Sequence, residues 1–156
     1  MKIGGQSFDR PKPVTIVLPH GDDNILLLAG SVVDYTEFNA MCPVPEPPKS
    51  LKPGQGEVQN FTDKTYLEQI QEHSRLRTYW MIKESLKETP LLEWENVVDD
   101  DPSTWNKIEE EMAGGFGTIG VSKILEKVLR ANGLGQELVG EARESFLASQ
   151  SQLQGG

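Results

Sequence analysis

The chain has 156 residues, with 24 Asp and Glu against 15 Lys and Arg, for a formal net charge of −9. That length supports one domain, or a very small domain attached to a modest one, and so acidic a surface repels phosphate, which argues against nucleic-acid binding by backbone neutralisation. The longest unbroken apolar run covers only residues 25–29, far short of the roughly 20 residues a spanning helix needs, so no membrane partner is expected. No basic stretch followed by an apolar one opens the sequence, and nothing in it points to export. One cysteine cannot form an internal disulfide, and with two histidines it cannot complete an ordinary structural zinc site. The expectation is a protein of a reducing compartment, with no metal and no cofactor.

Residues 1–12 carry Gly, Pro and charge without a period and are expected to be frayed or loosely docked. Residues 13–18 (PVTIVL) and 25–33 (ILLLAGSVV) are β-branched and apolar, and turn formers separate them. They predict a hairpin over residues 13–33, the heart of a small β element spanning 1–41. An isolated hairpin is marginal in water, so this one must pack on the rest of the chain or on another. Asp34 is placed to cap a short turn through Tyr35, Phe38 and Met41. Residues 42–58 hold five prolines and no apolar period. They read as a linker, 42–60, semi-rigid where proline is dense and flexible around Gly54 and Gly56.

After residue 60 the pattern turns helical. Thr62 or Asp63 caps a segment over 64–86, whose apolar members Tyr66, Leu67, Ile70, Leu76, Tyr79, Trp80, Ile82 and Leu86 cover a stripe broad enough for more than one partner. Thr89-Pro90 ends it. Residues 91–98 (LLEWENVV) are ambiguous between a helical turn and an extended run. Asp101-Pro102 is a strong start signal for a helix over 102–113 that buries Trp105, Ile108 and Met112, with Gly114-Gly115 as its stop. Val121, Ile124, Leu125, Val128 and Leu129 follow the helical template up to the stop at Asn132-Gly133. A last helix over 136–148 presents Leu138, Ala142 and Phe146, and residues 149–156 form a disordered Gln/Ser/Gly tail. The fold class expected is α+β, mainly α: a hairpin, a proline-rich linker, and a compact bundle of about four helices in a helical domain at 61–148.

Few side chains offer chemistry. Gly115, Gly117 and Gly120 spell G-x-G-x-x-G, but the dinucleotide motif needs a preceding strand, and here Glu109, Glu110 and Glu111 stand before it. A glycine-rich turn between helices is the better reading. Asp99, Asp100 and Asp101 lack the alternation and central glycine of a calcium loop and suit helix capping instead. His20, Cys42 and His73 show no nucleophile-and-base signature, and no serine sits in a nucleophile elbow. No catalytic residue is assigned and no enzyme is expected. The aromatics Tyr79, Trp80, Trp94, Trp105, Phe116 and Phe146 are mostly core material. Trp94 is different: it lies between Pro90 and Pro102 in the ambiguous segment, where an exposed Trp marks an interface. The partner-binding candidates are therefore Trp94, Tyr79, Trp80, Leu91 and Leu92, with the hairpin edge as a second route.

Taken together, Tyr79-Trp80, Ser85-Leu86, the run 92–97, the run 101–105, Gly114-Gly115-Phe116, Ala131-Asn132, Ala142-Arg143 and Phe146-Leu147 resemble small proteins encoded in the structural-gene region of tailed bacteriophages, described as tail assembly chaperones. The likeness covers 61–148. It implies a small β part, a helical part and a flexible tail, and a protein that binds and solubilises the tape measure protein in the host cytoplasm and helps recruit tail tube subunits. Its motifs are packing and capping residues, so it carries no catalytic position. Two alternatives stand beside it. One is a virion structural protein, a connector, tail or baseplate subunit, forming homo-oligomers through its hairpin and proline-rich arm. The other is an acidic inhibitor that mimics DNA, against which the scattered carboxylates speak.

Overall fold

A computed structural model describes residues 1–134 together with Glu144 and Ala148. Its first element is a small exposed hairpin of β1 (Lys2–Ile3) and β2 (Gln6–Ser7). The expected main hairpin follows as β3 (Val14–His20) and β4 (Asp23–Ala29), antiparallel, with Val14 opposite Ala29 and His20 opposite Asp23. Gly21 and Asp22 alone make its turn, and Gly21 takes the left-handed backbone (φ 61°) that so tight a hairpin turn demands. Alternation then sorts the side chains: Ile16, Leu18, Leu27 and Ala29 are buried, while Val17 and Leu26 stay exposed on the outer face.

A short helix α1 (Thr36–Met41) comes next; Asp34 steadies its start by accepting hydrogen bonds from the Thr36 N–H and hydroxyl. The segment expected as a plain connector forms a further hairpin, β5 (Lys49–Lys52) with β6 (Gly56–Gln59), almost wholly exposed. The prolines end at Pro53, which sits in the turn between these strands, so none of them removes a donor from the pairing. Helix α2 (Lys64–Leu86) begins where the capping signal placed it, with the Asp63 side chain accepting from the Tyr66 N–H at 3.0 Å.

The Asp101-Pro102 signal starts only a single 3-10 turn, Pro102–Thr104, before α3 (Lys107–Ala131). Gly114-Gly115 does not stop the chain as expected: both glycines lie within α3, and the break comes at Gly117 (φ 67°, ψ −178°). Only glycine adopts that conformation without strain, whereas Gly114 and Gly115 merely permit a turn that the packing of α3 does not require. After the break the apolar template holds, with Val121, Ile124, Leu125, Val128 and Leu129 all buried. Asn132 and Gly133 end the helix as expected: Leu134 N–H bonds to Leu129 C=O and Gly133 N–H to Arg130 C=O, a paired closure over a left-handed Gly133.

The architecture among the described residues is thus mixed, with short antiparallel hairpins and three helices, consistent with the expected α+β class; a bundle of four helices is not shown. The expected helix over 136–148 and the tail after it fall outside the described residues, Glu144 and Ala148 excepted. One core joins the β3–β4 hairpin to both long helices and to Phe38 of α1. Asn132 ties the ensemble together, donating to Ser85 Oγ at 2.8 Å and accepting from the Val32 N–H at 2.8 Å. No helix of the described residues is long and apolar enough to cross a membrane.

Candidate functional site

The ambiguous segment after α2 is neither helix nor strand; it is a loop over residues 87–101, fastened side chain by side chain. At its start Thr89 Oγ1 accepts from the Leu28 N–H (2.9 Å) and donates to the Leu28 C=O (3.1 Å), filling the place of a strand residue on the edge of β4. At its far end Asp99 meets Lys83 Nζ (2.5 Å) and Lys87 Nζ (3.2 Å), and Trp105 Nε1 donates to the Val98 C=O (3.0 Å). Midway, Glu111 Oε1 accepts from the Asn96 N–H at 2.7 Å. Such fastenings let a loop without regular hydrogen bonding keep a fixed course.

That course walls a groove of about 570 Å³. β4 contributes Ile25 and Leu27, the loop contributes Leu92 and Trp94, and α3 contributes Met112 and Phe116 just before its break. Gly114 and Gly115 also line it, and a Cβ on either would meet nothing within 4 Å, so the α3 backbone lies open to an occupant. Glu93, Glu95, Glu110 and Glu111 also line it, with Leu86, Asn96 and Ile124, and no lysine or arginine is among the described lining residues. Glu110 has Lys107 at 3.5 Å; Glu111 keeps Oε2 closed off from water without a hydrogen-bond partner among the described residues.

The candidate partner residues separate accordingly. Trp94 and Leu92 line the groove, half-buried. Leu91 stands beside it, 99% exposed and in the left-handed region (φ 63°) where a branched side chain is strained. Tyr79 and Trp80 are buried in the core and present no surface to a partner. The reason is geometric: a broad apolar stripe on one helix cannot tell which residues meet the chain's own core and which meet another's. Trp80 packs against Trp105 (centroids 5.6 Å) and Phe38 (6.1 Å).

Two polar clusters escaped the sequence reading. Lys83 is only 1% exposed, with its ammonium over the Trp80 ring (4.2 Å) and the Trp105 ring (5.4 Å), paired with Asp99 and Glu84. Its signal was available, since it is the one cation inside the apolar run 79–86. Burial works to raise the Asp99 carboxyl, but the hydrogen bonds from Lys83 and Lys87 outweigh it and hold Asp99 below the usual carboxylate range. In the second cluster the Tyr79 hydroxyl donates to Glu109 Oε1 at 2.6 Å and accepts from Arg75 Nε at 3.2 Å. Burial pushes Glu109 above the usual range against the pull of that hydroxyl and of Arg75, and it pushes the Tyr79 phenol up as well. No sequence signal marks Glu109 apart from Glu110 and Glu111; only the tertiary contact does.

The remaining candidates are scattered. His20 lies at the hairpin tip, edge-on to Phe116 with centroids 6.3 Å apart. Cys42 is buried, which raises its thiol, and His73 Nε2 lies 3.1 Å from the Cys42 carbonyl oxygen. Asp101 accepts from the Ser103 N–H and hydroxyl. Among the described residues no group of three His, Cys, Asp or Glu could hold a metal ion. No family model matches the chain, and searches of curated proteins and of solved structures find no similar one.

Proposed function

We propose that this chain acts by gripping another polypeptide, as a tail assembly chaperone that keeps a tape measure type of protein soluble in the host cytoplasm while tail tube subunits gather. The observation that carries the proposal is the apolar groove walled by Trp94, Leu92, Ile25 and Phe116, held open by a loop that its own hydrogen bonds keep in place. A half-buried Trp beside bare helix backbone offers contact area at low entropic cost to an incoming chain. The net charge of −9 suits a protein that must mask a partner's apolar face and remain dissolved.

Co-expression with the products of the neighbouring genes, the longest first, tests this. The long partner should be recovered in the soluble fraction only when this chain is present, and Trp94→Ala should abolish that rescue while leaving the melting temperature within a few degrees of wild type. Rescue that survives Trp94→Ala unchanged would remove the groove from the account.

A second reading, a virion structural protein, is favoured by one feature: the β5–β6 arm, exposed along nearly its whole length and carrying the exposed Leu51. Such an arm suits a neighbouring copy. Light scattering separates the two, since a permanent subunit assembles alone and a chaperone stays small.

A further inference from the structure

The groove's polar rim has one sign. Glu93, Glu95, Glu110 and Glu111 border an apolar floor with no basic side chain among the described lining residues, and of the four only Glu110 forms an ion pair among the described residues, the exposed one with Lys107. Elsewhere the molecule does pair its acids: Glu84 and Asp99 share Lys83 and Lys87, and Glu126 lies 3.5 Å from Arg130. Concentrating like charges around an apolar cleft raises the local potential and repels any acidic occupant. The chain's own last residues are such an occupant: 135–156 contain Glu137, Glu141 and Glu144 against the single Arg143. A second copy, with the same net charge of −9, meets the same repulsion.

We infer that the groove selects a cationic apolar segment of a partner chain, with large side chains entering between Trp94 and Phe116 and flanking Lys or Arg side chains meeting the four glutamates. This rests on the reading of the groove as a polypeptide site and adds the chemistry of what enters it. Glu111 has a particular place here. One of its oxygens anchors the loop through Asn96, while its charge at the groove wall adds to the field of the exposed glutamates that an arriving cation meets.

The test uses the full chain and three synthetic amphipathic peptides that share one Leu/Phe face and differ only in flanks of Lys, Gln or Glu, titrated by calorimetry. The Lys-flanked peptide should bind about tenfold or more tighter than the Gln-flanked one, with an advantage that shrinks as salt is raised, and the Glu-flanked one least. The combined change Glu93→Gln, Glu95→Gln and Glu110→Gln, at exposed positions, should erase most of that advantage, as should Glu111→Gln, which keeps an acceptor for Asn96. Glu57→Gln with Glu68→Gln, remote acids on β6 and α2, should leave it intact, which separates the rim from the general charge. Equal binding of the Lys and Gln peptides, both lost on Trp94→Ala, overturns the charge selection and leaves the polypeptide groove standing. No binding by any peptide overturns both, and a Lys advantage indifferent to the rim changes overturns the placement.

Discussion

Helix α2 is one unbroken element with two unlike halves. In residues 79–86 nearly every side chain is buried, Lys83 and Ser85 included, because the β3–β4 hairpin, α1, α3 and the loop close over it. In residues 64–78 none is, and Leu67 is exposed. That half is held by its Asp63 cap and, near its end, by contacts to α1 and the residue before it: Arg77 over the Tyr35 ring at 4.7 Å and His73 beside Phe38 at 5.3 Å. Helical backbone therefore says little about where free energy resides, since short isolated helices are marginal and packing supplies most of their stability. The groove belongs to the packed half, which lends it Leu86.

Truncation in the packed region should give the largest effects. Trp105, fully buried, touches both the Phe38 and Trp80 rings and holds the loop through Val98. Trp105→Ala should cost about 3–5 kcal/mol, and Ile124→Ala about 2–5 kcal/mol, by urea unfolding. Losses of under about 1 kcal/mol would mean that the packed half is not a close-packed core at all.

Next comes the charge buried within that core. Asp99→Asn weakens one of two carboxylates on Lys83 but leaves Glu84, so a loss of about 1–3 kcal/mol at pH 7 is expected. The sign with pH follows from the depressed Asp99 carboxyl. Its contribution is present above the unfolded value, near pH 4, and is lost as pH falls through the lower folded value. The gap between variant and wild type should accordingly close in acid, and a gap constant from pH 7 to pH 3 would show that Asp99 acts through packing instead. Glu109 runs the other way. Its raised carboxyl gives the folded state more protons than the unfolded, so its contribution is fully present below about pH 4 and is lost as pH rises through the folded value. Measured against wild type, the melting temperature of Glu109→Gln should be more favourable at pH 7 than at pH 4. A flat difference would leave burial of the carboxylate without consequence.

The legible parts of this fold were those with a strong local cause. The 13–33 hairpin, the bounds of α2, the apolar face at Val121, Ile124, Leu125, Val128 and Leu129, and the Asn132-Gly133 stop each rest on period or capping. Gly114-Gly115 misled because a glycine pair permits a break, while Gly117 alone carries the dihedrals that make one. The β5–β6 hairpin was hidden by proline density just before it. For the groove, the isolation of Trp94 between two prolines marked the segment that forms one wall, but the other walls come from β4 and α3. Nothing local tells that Thr89 would replace a strand partner for Leu28, or that Glu111 would hold Asn96. Tyr79 and Trp80 looked like Trp94 in composition, and only tertiary packing separates them.

The smallest effect belongs to the open half of α2. Leu67→Ser there should change stability by no more than about 0.5 kcal/mol, as surface substitutions away from caps and core do. Amide exchange should likewise show residues 64–72 opening at far lower free energy than 79–86, since their helical hydrogen bonds face solvent with few apolar contacts over them. A cost above about 1 kcal/mol, growing with protein concentration, would mean that Leu67 and its neighbour Phe61, also exposed, are covered by another copy. In that case α2 would be an assembly surface along its first half and a core element along its second, and the structural-subunit reading would gain what the chaperone reading loses.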